Sequence, residues 1–122
     1  MDMWSPTIKI IVANPLKTVT KEIYVKIDTG FNGGLFLPFK VYVELGLHLF
    51  ETSKVIASIA TGELVELLTS RAIIVIENAE YPCMAYTSLR ANRSLLGLEI
   101  LSKLRVLIDG KGRKVLIEDP EA

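Results

Sequence analysis

The chain has 122 residues, half of them apolar, and its fourteen basic residues balance fourteen acidic ones. This length predicts one compact domain spanning residues 1–122, and the apolar content excludes an intrinsically disordered chain. Because a neutral chain without a clustered basic face does little to neutralise phosphates, we do not expect a nucleic-acid partner.

Residues that bind metals or act as nucleophiles are scarce. Cys83 is the only cysteine and His48 the only histidine, which excludes an intrachain disulfide. The same scarcity leaves too few ligands for a zinc cluster and little support for a catalytic Cys-His pair. We therefore expect no metal and no cofactor, and we interpret His48 as structural or surface. The sequence has no apolar run of bilayer-spanning length and no signal-peptide pattern. These features predict a cytoplasmic protein without a membrane partner.

Most of the sequence has the pattern of short strands separated by residues that favour turns. In chain order the predicted strands are residues 7–12, 19–27, 55–60, 64–69, 72–76, 84–86, 105–109 and 114–118. Two short helices are predicted, at residues 39–45 between Pro38 and Gly46 and at residues 98–104. The pattern indicates an all-β domain with one or two short helices.

The predicted strand at residues 19–27 alternates between an apolar and a polar face, as expected of a half-buried strand. The apolar face carries Ile23, Val25 and Ile27, and the polar face carries Glu22, Tyr24 and Lys26. Because the strand ends directly before Asp28, it delivers a carboxylate to the start of the next loop.

That loop, residues 28–34, has the unusual sequence Asp-Thr-Gly-Phe-Asn-Gly-Gly. Its glycines permit a sharp turn and the close approach of a substrate. A calcium loop is excluded, because Gly30 and Phe39 stand where ligands are needed. A dinucleotide fingerprint would need different glycine spacing and a following helix, and a phosphate loop of the sugar-kinase type would have Thr or Ser in place of Phe31. The alternative without a functional role is an ordinary turn that begins with a capping aspartate.

Further motifs accompany the loop in a fixed order. Ile27-Asp28-Thr29-Gly30 is followed by Leu35-Phe36-Leu37-Pro38, by Ala60-Thr61-Gly62 at the tip of a predicted hairpin, and by Leu95-Leu96-Gly97 before a predicted helix. With these motifs the chain resembles the retropepsin-like aspartic peptidases, specifically the small single-domain peptidases of prokaryotes in clan AA. The resemblance spans nearly the whole chain and implies a small closed barrel with a flap hairpin.

The resemblance implies an aspartic endopeptidase that hydrolyses peptide bonds with a water activated by carboxylates. Such enzymes use two carboxylates that share one proton, because two like charges a few ångströms apart cannot both ionise. The chain has a single Asp-Thr-Gly, so the second carboxylate must come from a second copy, which a two-fold homodimer supplies. The expected substrate is a peptide or an unfolded protein.

Residue roles follow from the same resemblance. Asp28 would be the catalytic carboxylate, Thr29 would brace the two loops across the dimer, and Gly30 would let the substrate backbone approach. The implied substrate-binding residues are Phe31 and Asn32 in the loop, with Ile59, Ala60, Thr61 and Gly62 in a flap that closes over substrate. The implied support beneath the catalytic loop consists of Leu95, Leu96 and Gly97.

Three positions depart from the family pattern. Phe31 stands where a small residue is common, Thr61 where the prokaryotic branch often has Asp, and Leu98 where retroviral members carry Arg. These departures leave substrate choice open. The alternative function is a dimeric peptide-binding or scaffolding module of the same fold without catalysis. The intact Asp-Thr-Gly favours the peptidase, because a scaffold has no use for paired carboxylates that are costly to bury.

Overall fold

The computed structural model describes residues 3–58 and 61–118, with the side chains of all of these except Glu51 and Thr52. The elements in chain order are β1 Thr7–Ala13, β2 Thr20–Ile27, β3 Leu35–Phe36, α1 Phe39–Glu44, a 3₁₀ helix Leu47–Phe50, β4 Glu51–Ser58, β5 Leu64–Ile76, β6 Ala79–Thr87, β7 Leu95–Leu96, α2 Leu98–Leu101, β8 Arg105–Asp109 and β9 Lys114–Glu118. The predicted all-β class with two short helices is confirmed. No helix in the described ranges is long and apolar enough to cross a membrane.

Seven strands form one sheet in the order β1-β2-β7-β3-β6-β5-β4, and β1 also pairs with β5. That additional pairing joins six of the strands into a closed circuit, with β4 attached outside it along β5. The short strand β7 lies parallel to β2 and antiparallel to β3. Since β2 and β3 are the strands that flank the loop of residues 28–34, β7 is inserted directly beneath that loop.

The core is built from alternate residues of these strands together with residues from the helical segment. Its largest fully buried side chains are Ile10, Val12, Val25, Leu35, Leu37, Tyr42, Leu45, Leu47, Thr69, Ile74, Leu96 and Ile100. The alternation predicted for residues 19–27 holds in β2, where Val25 and Ile27 are buried and Lys26 is exposed. One face of β2 therefore anchors the strand in the core, and the other is presented to solvent.

Two predicted strands, residues 64–69 and 72–76, are a single continuous strand, β5, so the predicted break was wrong. Ser70 is fully buried and pairs with Ala85 of β6. Its hydroxyl lies within hydrogen-bonding distance of the carbonyl oxygens of Arg71, at 3.0 Å, and Phe50, at 3.3 Å. Because this polar group has a partner inside the protein, it does not interrupt the strand.

The strand β6 begins at Ala79, earlier than predicted, and contains Pro82. Pro82 pairs with Ile73 of β5, whereas β3 pairs with β6 only at Ala85 and Tyr86. Pro82 therefore lies where β6 is an edge strand, which is where a sheet accepts proline.

The second helix is shorter than the predicted span of residues 98–104, because α2 ends at Leu101. The amides of Lys103 and Leu104 donate to the carbonyl oxygens of Ile100 and Leu101, respectively. This three-residue spacing tightens the chain into a 3₁₀ turn. The turn is needed because β8 begins at Arg105.

Candidate active site

Asp28 lies at the point where β2 ends, and its position is fixed by backbone hydrogen bonds. Its amide donates to the carbonyl oxygen of Leu96 at 3.0 Å, which extends the β2–β7 ladder by one residue. Its Oδ1 accepts a hydrogen bond from the amide of Gly30 at 2.9 Å, the geometry of an aspartate that initiates a turn. The side chain is half-exposed. The carboxylate is therefore oriented by its own loop and is still open to a ligand.

The loop that follows Asp28 is fastened to the segment that joins β7 to α2. The amide of Leu98 donates to the carbonyl oxygen of Phe31 at 2.8 Å, and that of Gly97 donates to Gly34 at 2.9 Å. A third bond, 3.3 Å long, runs from the amide of Glu99 to the carbonyl oxygen of Gly33. Three consecutive amides thus hold the loop from beneath, which gives a glycine-rich segment a defined shape.

Gly97 allows this close approach. A Cβ atom at Gly97 would overlap the carbonyl oxygen of Gly33 and would lie 2.5 Å from that of Phe31. Leu96 is fully buried and Leu95 is half-buried. The three residues predicted to support the loop are thus brought against it. A glycine is required at position 97 because the segment between β7 and α2 crosses close beneath the loop.

Phe31 is held in an aromatic cluster, which we define as Phe31, Phe36 and Tyr86. The ring centroids of Phe31 and Phe36 are 6.1 Å apart and those of Phe31 and Tyr86 are 5.6 Å apart, both edge-on. This is a favourable arrangement for aromatic rings. Burial raises the pKa of the Tyr86 phenol, and the charge of Glu99 adds to that rise. Neither Phe36 nor Tyr86 was predicted from the sequence to be a site residue.

The exposed face of β2 continues across neighbouring strands as a row of side chains. Lys26 pairs with Leu95, Leu95 with Phe36, and Phe36 with Tyr86. Side chains at paired positions share a face of the sheet, so this row runs beside Asp28 from a cation to the aromatic cluster. Lys26 was not predicted to be a site residue either, although the alternation of residues 19–27 placed it on the polar face of the strand.

Thr29, Gly30 and Asn32 are exposed. Thr29 lies at a groove of about 330 Å³ between α2 and β8. The residues lining this groove are Ile27, Thr29, Leu98, Leu101, Ser102, Leu104, Val106 and Ile108. Most of the lining is apolar, and it begins immediately beside the candidate catalytic loop.

The predicted flap corresponds to the hairpin of β4 and β5, in which Ser58 pairs with Leu64. Thr61 and Gly62 are exposed at its tip, and Gly62 has a φ of 85°. Ile59 and Ala60 lie outside the described residues. Within the described part of the chain, no hydrogen bond joins Thr61 or Gly62 to the loop of residues 28–34, so the predicted flap residues are not linked to that loop by hydrogen bonds.

Other catalytic chemistries find little support near this loop. Burial, with a smaller contribution from Glu99, raises the pKa of the Cys83 thiol to about 12, so at neutral pH it is a protonated core residue rather than a nucleophile. His48 is exposed on the 3₁₀ helix, as the sequence analysis anticipated. No group of three His, Cys, Asp or Glu residues within residues 3–58 and 61–118 could hold a metal ion.

No family model and no curated protein matches the sequence. Solved structures do match, among them "EIAV protease complexed with the inhibitor HBY-793". That structure shares 20% sequence identity with the chain, over 80% of this chain and 86% of the other, with a TM-score of 0.58. The likeness establishes the fold, so the predicted retropepsin-like fold is confirmed. The chain is accordingly an all-β protein of retropepsin-like fold with an Asp-Thr-Gly loop at the end of β2.

Proposed function

We propose that the chain is an aspartic endopeptidase that acts as a homodimer, with Asp28 of each subunit forming the catalytic pair. One observation carries this proposal. In a retropepsin-like fold, the half-exposed carboxylate of Asp28 is held at a strand end by the amide of Gly30 and by the backbone of Leu96. An acidic group fixed in a loop and open to ligands is suited to acid–base chemistry on a bound substrate.

The proposed chemistry needs two carboxylates with one proton between them. The ionised carboxylate takes a proton from water, whose oxygen attacks the carbonyl carbon of the scissile peptide bond. The protonated carboxyl donates to the carbonyl oxygen, which gives a tetrahedral intermediate. When that intermediate collapses, the carbon–nitrogen bond breaks and the leaving nitrogen takes the proton that the first carboxylate removed from water. The hydroxyl formed from the carbonyl oxygen returns its proton to the second carboxylate. Both groups regain their starting charge, so no cofactor is required.

The surface beside Asp28 supports a second copy of this chain as the partner. The apolar groove at Thr29 is bordered by β8, which pairs only with β9 in a separate two-stranded sheet within the described residues. Leu107 and Leu116 are cross-strand partners on this hairpin and are 48% and 44% exposed. Unpaired strand edges with exposed apolar side chains favour pairing with another chain.

Within this proposal the remaining site residues have distinct roles. Thr29 is exposed next to the groove and would hydrogen-bond across the dimer axis. Gly30, Phe31 and Asn32 would contact the substrate backbone and its apolar side chains. The β4–β5 hairpin, with Thr61 and Gly62 at its tip, would close over the substrate and exclude water. We further propose that the chain is a cytoplasmic member of the single-domain prokaryotic branch and acts on peptides or unfolded proteins.

The test is cleavage of an unfolded protein by the purified dimer and by Asp28→Asn. We expect wild type to produce fragments and Asp28→Asn to produce none. Asp109→Asn is the matched control, because asparagine can still accept the hydrogen bond that Asp109 receives from the amide of Gly112. Binding of peptides without cleavage by wild type would instead support the non-catalytic module.

Mixing the two proteins tests whether the site is shared. After subunit exchange at equal concentrations, random pairing leaves about a quarter of the dimers with two intact Asp28 residues, and activity falls to about half that of the wild type alone. Subunits that worked independently would show no loss. Unchanged activity would therefore contradict the two-carboxylate mechanism.

A further inference from the structure

The face of β2 that leads to Asp28 also carries Lys26. Ile27, between them, is buried in the core, whereas Lys26 is exposed. The amides of Lys26 and Asp28 donate to the carbonyl oxygens of Ser94 and Leu96, so the alternation of the strand extends through Asp28. Side chains two positions apart leave the same face of a strand about 7 Å apart. A ligand held at Asp28 therefore lies within reach of the Lys26 ammonium group.

Within residues 3–58 and 61–118, Lys26 also differs from the neighbouring lysines in having no carboxylate partner. The other lysines of β1, β2 and their connecting turn form ion pairs, Lys9 with Glu22, Lys17 with Glu80 and Lys21 with Glu44. No carboxylate oxygen of the described residues lies within 4.0 Å of the Lys26 ammonium. Its charge is therefore available to a ligand.

The surroundings of Lys26 indicate which ligand side chain would fit. Its cross-strand partner Leu95 is half-buried, and the row continues into the aromatic cluster through Phe36. A side chain with a short aliphatic stem and a terminal carboxylate can pack its stem on Leu95 and pair its charge with Lys26. Glutamate and aspartate have this chemistry.

We propose that Lys26 is a specificity-determining residue that selects an acidic side chain next to the scissile bond; this inference rests on the proposed peptidase function. The negative charge of the catalytic pair repels a substrate carboxylate, and Lys26 offsets that repulsion. Because a two-fold dimer contributes one Lys26 from each subunit, an acidic residue on either side of the cut bond is favoured. The substrate class is thus a peptide in which Asp or Glu flanks the cleaved bond.

The test compares three peptides that differ only in having Glu, Gln or Lys at one position next to the cut bond. At low salt we expect kcat/KM of wild type to be about fivefold higher for Glu than for Gln, on the scale of an exposed ion pair. Lys26→Gln should lower that ratio to one or below, because the charge of the catalytic pair then repels the Glu peptide without an offset. Lys26→Glu should invert the preference towards Lys. Lys17→Gln is the control, because it makes the same change in the turn before β2, beyond the strand end that lies about 20 Å from Lys26, and should keep the wild-type ratio.

Binding to the Asp28→Asn dimer, measured by fluorescence anisotropy of labelled peptides, separates this inference from the proposed function. One outcome is that wild type cleaves no peptide, that the Asp28→Asn dimer binds the Glu peptide best, and that adding Lys26→Gln to that dimer removes the preference. In that case the subsite stands and the peptidase function fails. If the peptides are cleaved with equal efficiency, or Lys26→Gln keeps the ratio, the subsite is overturned and the peptidase function stands. Equal binding of the three peptides, or no binding, also overturns the subsite.

Discussion

The amide of Leu98 donates a hydrogen bond to the carbonyl oxygen of Phe31 at 2.8 Å, which ties the start of α2 to the loop that contains Asp28. The two segments are far apart in sequence, and they meet because β7 is inserted between β2 and β3. The shape of the candidate catalytic loop therefore depends on residues from a distant part of the sequence. This dependence makes the crossing at Gly97 a sensitive place to test the structure.

We predict that Gly97→Ala destabilises the protein by about 2–4 kcal/mol, because the added Cβ would overlap the backbone of Gly33 and Phe31. Urea unfolding followed by circular dichroism measures this loss. Gly110→Ala is the matched control, since a Cβ at Gly110 meets no atom within 4 Å. Equal stability of the two variants would show that the loop does not lie against Gly97 as described.

A second prediction concerns the aromatic cluster. Phe31 and Tyr86 meet edge-on, with ring centroids 5.6 Å apart, so a double-mutant cycle with Phe31→Leu and Tyr86→Leu should give a coupling free energy of about 0.5–1.5 kcal/mol. The measurement is the free energy of unfolding of wild type, both single variants and the double variant. The control cycle pairs Phe31→Leu with Tyr24→Leu, because Tyr24 is exposed on β2. Coupling as large in the control cycle would mean that the effect does not arise from the ring contact.

The sequence predicted the parts of this site that local patterns determine. The alternation in β2 placed Ile27 in the core and ended at Asp28, and Leu95-Leu96-Gly97 marked the strand beneath the loop. The contact between Phe31 and Tyr86 could not be predicted, because it depends on the parallel register of β3 and β6. The continuation of β5 through Ser70 also depends on a distant contact, because Ser70 pairs with Ala85 of β6.

The buried thiol of Cys83 should make the free energy of unfolding depend on pH. Its pKa is raised to about 12 in the folded protein, first by burial, whereas the thiol of an unfolded chain ionises near pH 8.5. The folded state therefore keeps a proton that the unfolded state loses, and the free energy of unfolding falls as pH rises above about 8.5. Relative to Cys83→Ala, wild type should lose about 1–2 kcal/mol between pH 8 and pH 10. Urea unfolding at both pH values tests this, and a constant difference between the proteins would contradict it.

Substitution of Gly62 by valine should lower the activity more than it lowers the stability. Its φ of 85° lies in the left-handed region, and it is exposed at the tip of the β4–β5 hairpin with open space around it. Gly62→Val should cost about 1–2 kcal/mol of local backbone energy, which shifts the hairpin tip while the core remains folded. We expect a clear fall in kcat/KM with a near-native circular dichroism spectrum. Loss of activity only in proportion to unfolded protein would exclude a flap role for this hairpin.

The last prediction tests the dimer through the outward face of the C-terminal hairpin. Leu116 is 44% exposed and pairs across the strands with Leu107. If this face meets a second copy, Leu116→Glu buries an unpaired charge, which costs roughly 2 kcal/mol or more and weakens the dimer by about thirtyfold or more. Sedimentation velocity over a range of concentrations should then show a dimer dissociation constant raised by about thirtyfold or more, and peptidase activity should fall as the dimer dissociates.

Leu49→Glu serves as the control for that experiment, because Leu49 is 75% exposed on the 3₁₀ helix and the substitution adds the same charge outside the proposed interface. It should leave both the dimer and the activity unchanged. A Leu116→Glu protein whose dimer dissociation constant equalled that of wild type would place the interface on another surface. One that became monomeric and still cleaved peptides would contradict the shared site itself, because a single Asp28 cannot supply both the base and the acid that the mechanism requires.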